Sequence, residues 1–122
     1  MSITITLPDG FQFLGASFVS TVFLLFFQST LVSKYRKSAG IAYPQVYADK
    51  AQVEASKDAI RFNCAQRAHQ NTLENLPIVY VTTLLTGLKF PVIAASALGL
   101  WTISRVSYTR GYVTGDPAKV CD

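Results

Sequence analysis

From Phe11 to Val32 the chain carries no charged residue. A helix of about 22 apolar residues covers the roughly 30 Å hydrocarbon core of a bilayer. The run therefore predicts a membrane-spanning helix over about 11–32. Asp9 precedes it, no basic residue does, and it is too long for a typical cleavable signal, so it reads as a retained anchor. Composition agrees: only 15% of the 122 residues are charged, against about a quarter in soluble domains. The net charge of +4 is concentrated after the first apolar run and in the tail. It forms no nucleic-acid patch, and no nucleic-acid partner is expected. Cys64 and Cys121 define neither a disulfide framework nor a metal site, and Cys64 reads as a small buried thiol.

The next segment, 33–57, is polar. Lys34, Arg36 and Lys37 follow the apolar run, and Tyr43-Pro44 interrupts any continuing helix. A second helix is predicted over about 58–88, capped by Ser56 or Asp58 and kinked at Pro77. A third is predicted over about 92–112, where Ala95 and Gly99 form a small-xxx-small pair suited to close helix approach. The fold class is an all-α membrane protein, a transmembrane helix bundle with three spans in a single domain, 1–122. The excess of Lys and Arg puts the long loop and the tail in the cytosol and the N-terminus in the lumen.

The second helix contains a polar run, Arg67-Ala68-His69-Gln70-Asn71-Thr72-Leu73-Glu74. Ionisable groups at membrane depth cost roughly 2.5–3.5 kcal/mol each on insertion scales and mark function by default. Arg67, Asn71 and Glu74 share one helical face, as do Arg105, Tyr108 and Tyr112 on the third helix. The plainer interpretation is an internal pair, Arg67 or Arg105 neutralising Glu74. An anionic ligand is the alternative, since one acid faces two arginines, an asparagine and two tyrosines. Arg36 and Lys37 can serve simply to set topology. His69 lies off the main face and reads as structural, and Phe23, Phe26 and Phe27 read as lipid-facing or packing residues. A proton or ion pathway lined by Arg67 and Glu74 is disfavoured, because the polar faces stop near one boundary.

The string Phe62-Asn63-Cys64-Ala65-Gln66-Arg67-Ala68-His69-Gln70-Asn71-Thr72-Leu73-Glu74 resembles the family of membrane-associated proteins in eicosanoid and glutathione metabolism. Within it, the similarity is to the microsomal glutathione transferases of type 3. Tyr43-Pro44, Gly99-Leu100, Arg105-Val106-Ser107-Tyr108 and Gly111-Tyr112-Val113-Thr114-Gly115-Asp116-Pro117 extend the likeness in the same order.

The resemblance implies a four-helix bundle assembled as a homotrimer in the endoplasmic reticulum membrane or the outer mitochondrial membrane. It implies glutathione as co-substrate, bound between subunits near the cytosolic face. The second substrate would be a lipophilic electrophile or a lipid hydroperoxide drawn from membrane lipid. Arg67, Asn71, Glu74, Arg105, Tyr108, Tyr112 and Arg36 match glutathione ligands. Lys37 matches a substrate-side arginine, and Lys119 an arginine that stabilises the thiolate, both in the leukotriene-synthesising branch. Three departures stand out. Lysine replaces arginine at 119, histidine replaces glutamine at 69, and the chain stops at Asp122 where the family continues into a fourth helix. The expected activity is a glutathione transferase or peroxidase. The alternative is a non-catalytic lipid-binding or truncated regulatory subunit of the same family.

Overall fold

The computed structural model describes residues 1–114. Four helices follow one another: α1, Phe11–Ala39; α2, Lys50–Ala55; α3, Lys57–Gly87; and α4, Pro91–Thr114. The expectation of three helices with a fourth absent is corrected. The additional helix is α2, six residues inside the polar loop. A capping box starts it: the Asp49 carboxylate accepts from the Gln52 amide, and the Gln52 side chain accepts from the Asp49 amide. Two satisfied donors hold a segment too short to show hydrophobic periodicity.

α1 runs past the predicted end at 32 because charge does not stop a helix. It ends where Gly40 adopts φ 69° and Ile41 returns its amide to the Arg36 carbonyl at 3.2 Å. This left-handed C-terminal cap favours glycine. Twenty-nine residues span about 43 Å at 1.5 Å per residue, so the basic last turns project beyond a hydrocarbon core. Ser56 caps α3 as predicted, its hydroxyl accepting from the Asp58 amide at 3.2 Å. α3 continues through Pro77.

The three long helices pack pairwise. Ser17 Oγ donates to the Ala95 carbonyl at 2.7 Å, and further along Val32 shares a core cluster with Val113. α1 and α4 therefore run parallel. Thr21 meets Tyr80 and Val32 shares the same cluster with Phe62, so α3 runs antiparallel to both. Gly87 allows a close approach: a Cβ there would collide with the Leu14 side chain. Gly99, expected to serve that purpose, has open space around it, and of the predicted pair only Ala95 is buried.

Large apolar side chains point outward on all three long helices, among them Phe23 and Phe26 at 70% and 72% exposure, Ile78, Leu85, Ile93 and Ile103. A belt of this kind requires lipid or protein around it. Judged by length and composition, α1 alone among the described helices is apolar enough to cross a membrane. α3 and α4 fall short because charged residues, from Arg61 to Glu74 and at Arg105 and Arg110, occupy part of each. Cys64 is buried as expected but is disulfide-bonded rather than a free thiol. The other cysteine in the sequence, Cys121, lies outside the described residues.

Where the three long helices converge, a buried polar hub joins them. The Gln28 amide donates to Thr72 Oγ1 at 2.9 Å and to Thr109 Oγ1 at 2.8 Å. His69 Nδ1 lies 3.3 Å from Gln28 Oε1. Each threonine passes its own proton back to a carbonyl one turn earlier, Ala68 and Arg105. Gln28, Thr72 and Thr109 are fully buried, and the bonds satisfy the amide at both ends. His69 thus meets the hub and is not among the residues lining the cavity described below.

Candidate functional site

One turn from the hub, the polar faces of α3 and α4 meet. Arg105 Nη1 donates to Asn71 Oδ1 in a short hydrogen bond. Its guanidinium also lies 5.2 Å from the Trp101 ring and 5.3 Å from the Tyr108 ring, within cation–π range. Tyr108 in turn stacks at 4.9 Å on Tyr112. The α4 face read from the sequence is thus a continuous ridge, tied to α3 through Asn71.

Beside Asn71 lies a cavity of about 200 Å³ lined by Tyr47, Arg67, Gln70, Asn71 and Glu74. All three predicted α3 residues line it. Among the described residues neither Arg67 nor Glu74 makes a hydrogen bond, and Arg105 is engaged with Asn71. The internal pairing of Glu74 with an arginine is therefore absent. The two charges stand seven residues apart on one helix, about 10.5 Å of axial rise, with Asn71 between them. The cavity can accept a small dipolar molecule carrying an anionic group at one end and a cationic group at the other.

Two lining residues were not predicted. Gln70 was legible: it sits at i+3 from Arg67, on the same face. Tyr47 was not, because it comes from the loop before α2. Its hydroxyl donates to Gln70 Oε1 at 2.6 Å. Burial pushes its phenol above the ordinary value near 10; Arg67 opposes that shift and Glu74 adds to it. The phenol therefore keeps its proton throughout the neutral range.

The structure does not bring every predicted residue to the cavity. Arg36 is buried beneath the loop, its guanidinium 4.1 Å from the Tyr43 ring and 4.6 Å from the Phe62 ring. Its Nη1 donates to the Gln45 carbonyl at 2.7 Å. Within this chain it anchors the loop. Lys37 is exposed in the last turn of α1 and is not among the lining residues. Lys119 lies outside the described residues.

No solved structure matches the chain. A sequence profile of the MAPEG family matches residues 14–120, nearly the whole length, including the loop and α3 residues that line the cavity. The family is membrane-bound and includes glutathione transferases, peroxidases and eicosanoid enzymes. An all-helical bundle with a polar recess at the end of its apolar belt belongs in that setting, and the chain is a member of the MAPEG family.

Proposed function

We propose that the protein is a glutathione transferase and peroxidase of the microsomal type 3 kind, acting on lipophilic electrophiles or lipid hydroperoxides at the cytosolic face of the endoplasmic reticulum membrane. The observation that carries this reading is the charge on the cavity wall: Arg67 and Glu74, opposite in sign, with neither a hydrogen bond nor an ion pair among the described residues. Glutathione offers two carboxylates and one ammonium. Glu74 takes the ammonium. Arg67 holds a carboxylate, an interaction for which the planar guanidinium fork is suited. Asn71 completes the wall, and the ridge of Arg105, Tyr108 and Tyr112 lies next to it, tied through Asn71 but not among the lining residues.

A cavity of about 200 Å³ is small beside the 300–1,000 Å³ usual for ligand pockets. This supports completion of the site by a neighbouring copy in a homotrimer. Lys37, exposed at the end of α1, is the cation such a copy would contribute, whereas Arg36 is held beneath its own loop.

The reactive species is the glutathione thiolate. A free thiol ionises near pH 8.5, and lowering that to about 7 takes roughly 2 kcal/mol of preferential thiolate stabilisation. One cation in a partly dry site is sufficient. Lys119 is the proposed cation, with Lys37 on the side of the second substrate. The thiolate then attacks an electrophilic carbon arriving from the bilayer, forming a C–S bond as a leaving group departs or an epoxide C–O bond opens. With a hydroperoxide it attacks a peroxide oxygen, breaking the O–O bond to release an alcohol and leave a glutathione sulfenic acid, which a second glutathione converts to the disulfide and water.

Ultraviolet absorbance of the bound thiolate tests this in the purified protein. Glutathione should develop the thiolate band about one pH unit or more below its solution value. Turnover of a chloronitrobenzene or a lipid hydroperoxide should accompany it. Lys119→Ala should move the band back toward the solution value. Binding with no thiolate band and no turnover would favour the non-catalytic subunit instead.

A further inference from the structure

The stretch of loop before α2 is fastened down at every residue from Gln45 to Ala48. Arg36 holds the Gln45 carbonyl at 2.7 Å, and Gln66 Nε2 donates to the Val46 carbonyl at 3.1 Å. Asn63 takes both backbone groups of Ala48, accepting from its amide at 2.8 Å and donating to its carbonyl at 3.3 Å. The Tyr47 carbonyl accepts from Gln45 Nε2 at 2.8 Å. Four side chains are thus spent on holding an irregular segment in one position. What that position delivers is a single group: the Tyr47 phenol, at the cavity wall and bonded to Gln70.

That bond has a directional consequence. An amide side chain has one acceptor end and one donor end. With Oε1 of Gln70 engaged by the phenol, its Nε2 hydrogens have no partner among the described residues. They remain available on the wall between Arg67 and Glu74. A dipeptide or tripeptide lying along that wall presents amide or carboxylate oxygens in its middle, where neither charged residue reaches.

We propose that Tyr47 is a positioning residue for ligand recognition: its phenol fixes the Gln70 amide so that Nε2 donates to a backbone or carboxylate oxygen of the peptide bound between Arg67 and Glu74. This rests on the reading of the cavity as the glutathione site. It assigns the loop a part in specificity, and it accounts for Arg36, Asn63 and Gln66 as anchors of that loop.

The test is a double-mutant cycle on the full-length protein in lipid nanodiscs, with glutathione binding read by calorimetry and melting followed separately. Tyr47→Phe removes one hydroxyl and keeps the ring. It should raise the glutathione Kd about fivefold, the effect of one hydrogen bond of about 1 kcal/mol, at an unchanged melting temperature. In a Gln70→Leu background the same substitution should have no further effect. The proposal is overturned if Tyr47→Phe leaves the Kd unchanged, or lowers the melting temperature alone. It is also overturned if the fivefold penalty persists without Gln70. Failure of the underlying reading looks different: the wild type would not bind glutathione, or Arg67→Ala would bind it equally well.

Discussion

Two polar clusters lie side by side on α3, and they differ in how their hydrogen bonds close. At the Gln28 hub, the amide, both threonine hydroxyls and one imidazole nitrogen match one another across three helices. One turn away, Arg67 and Glu74 face a cavity with neither a hydrogen bond nor an ion pair among the described residues. Both clusters are costly in an apolar setting, and both would be flagged by polarity alone. Counting partners separates them: a cluster that satisfies itself specifies helix register, and one that does not is complementary to something else.

Substitutions on the two sides should therefore move different observables. Arg67→Ala should give the larger effect, raising the glutathione Kd up to about a hundredfold, as expected for a charge-assisted bond of 1.5–3 kcal/mol. Thermal stability should stay nearly unchanged, because Arg67 is exposed and unbonded; calorimetry paired with melting curves checks both. Gln28→Leu should act the other way. It leaves His69 Nδ1 without its acceptor and unties Thr72 from Thr109, costing about 1–2 kcal/mol of stability. Its effect on glutathione affinity should be small in protein that remains folded. A Gln28→Leu variant of unchanged stability and lost affinity would erase the distinction between the clusters.

The two regions also differ in how far the sequence revealed them. The faces carrying Arg67, Asn71, Glu74 and Arg105, Tyr108, Tyr112 were legible because helical spacing is arithmetic once the helix is known. Ser56 announced the start of α3, and the apolar run announced α1, but the end of α1 was set by Gly40, seven residues and more beyond the last apolar position used to bound it. Gln28 gave a partial signal, as an amide in the middle of an uncharged run. Its partners, Thr72 and Thr109, depend on how three helices cross and cannot be read from any one of them. Arg36 and Tyr47 were the hardest. Whether a guanidinium reaches solvent or lies between two rings, and whether a loop tyrosine reaches a helix, is decided by tertiary packing of a segment without periodicity. Recognition by family likeness did not help with Tyr47, because no matched motif residue carried it.

The central claim is that the charges on the cavity wall are complemented by a dipolar thiol peptide. Titration of the wild-type protein with glutathione in lipid nanodiscs, at low and high salt, tests it most directly. The account predicts saturable binding that weakens as ionic strength rises, because partly exposed charges carry it. The absence of binding at either salt concentration, or binding indifferent to salt, would contradict it.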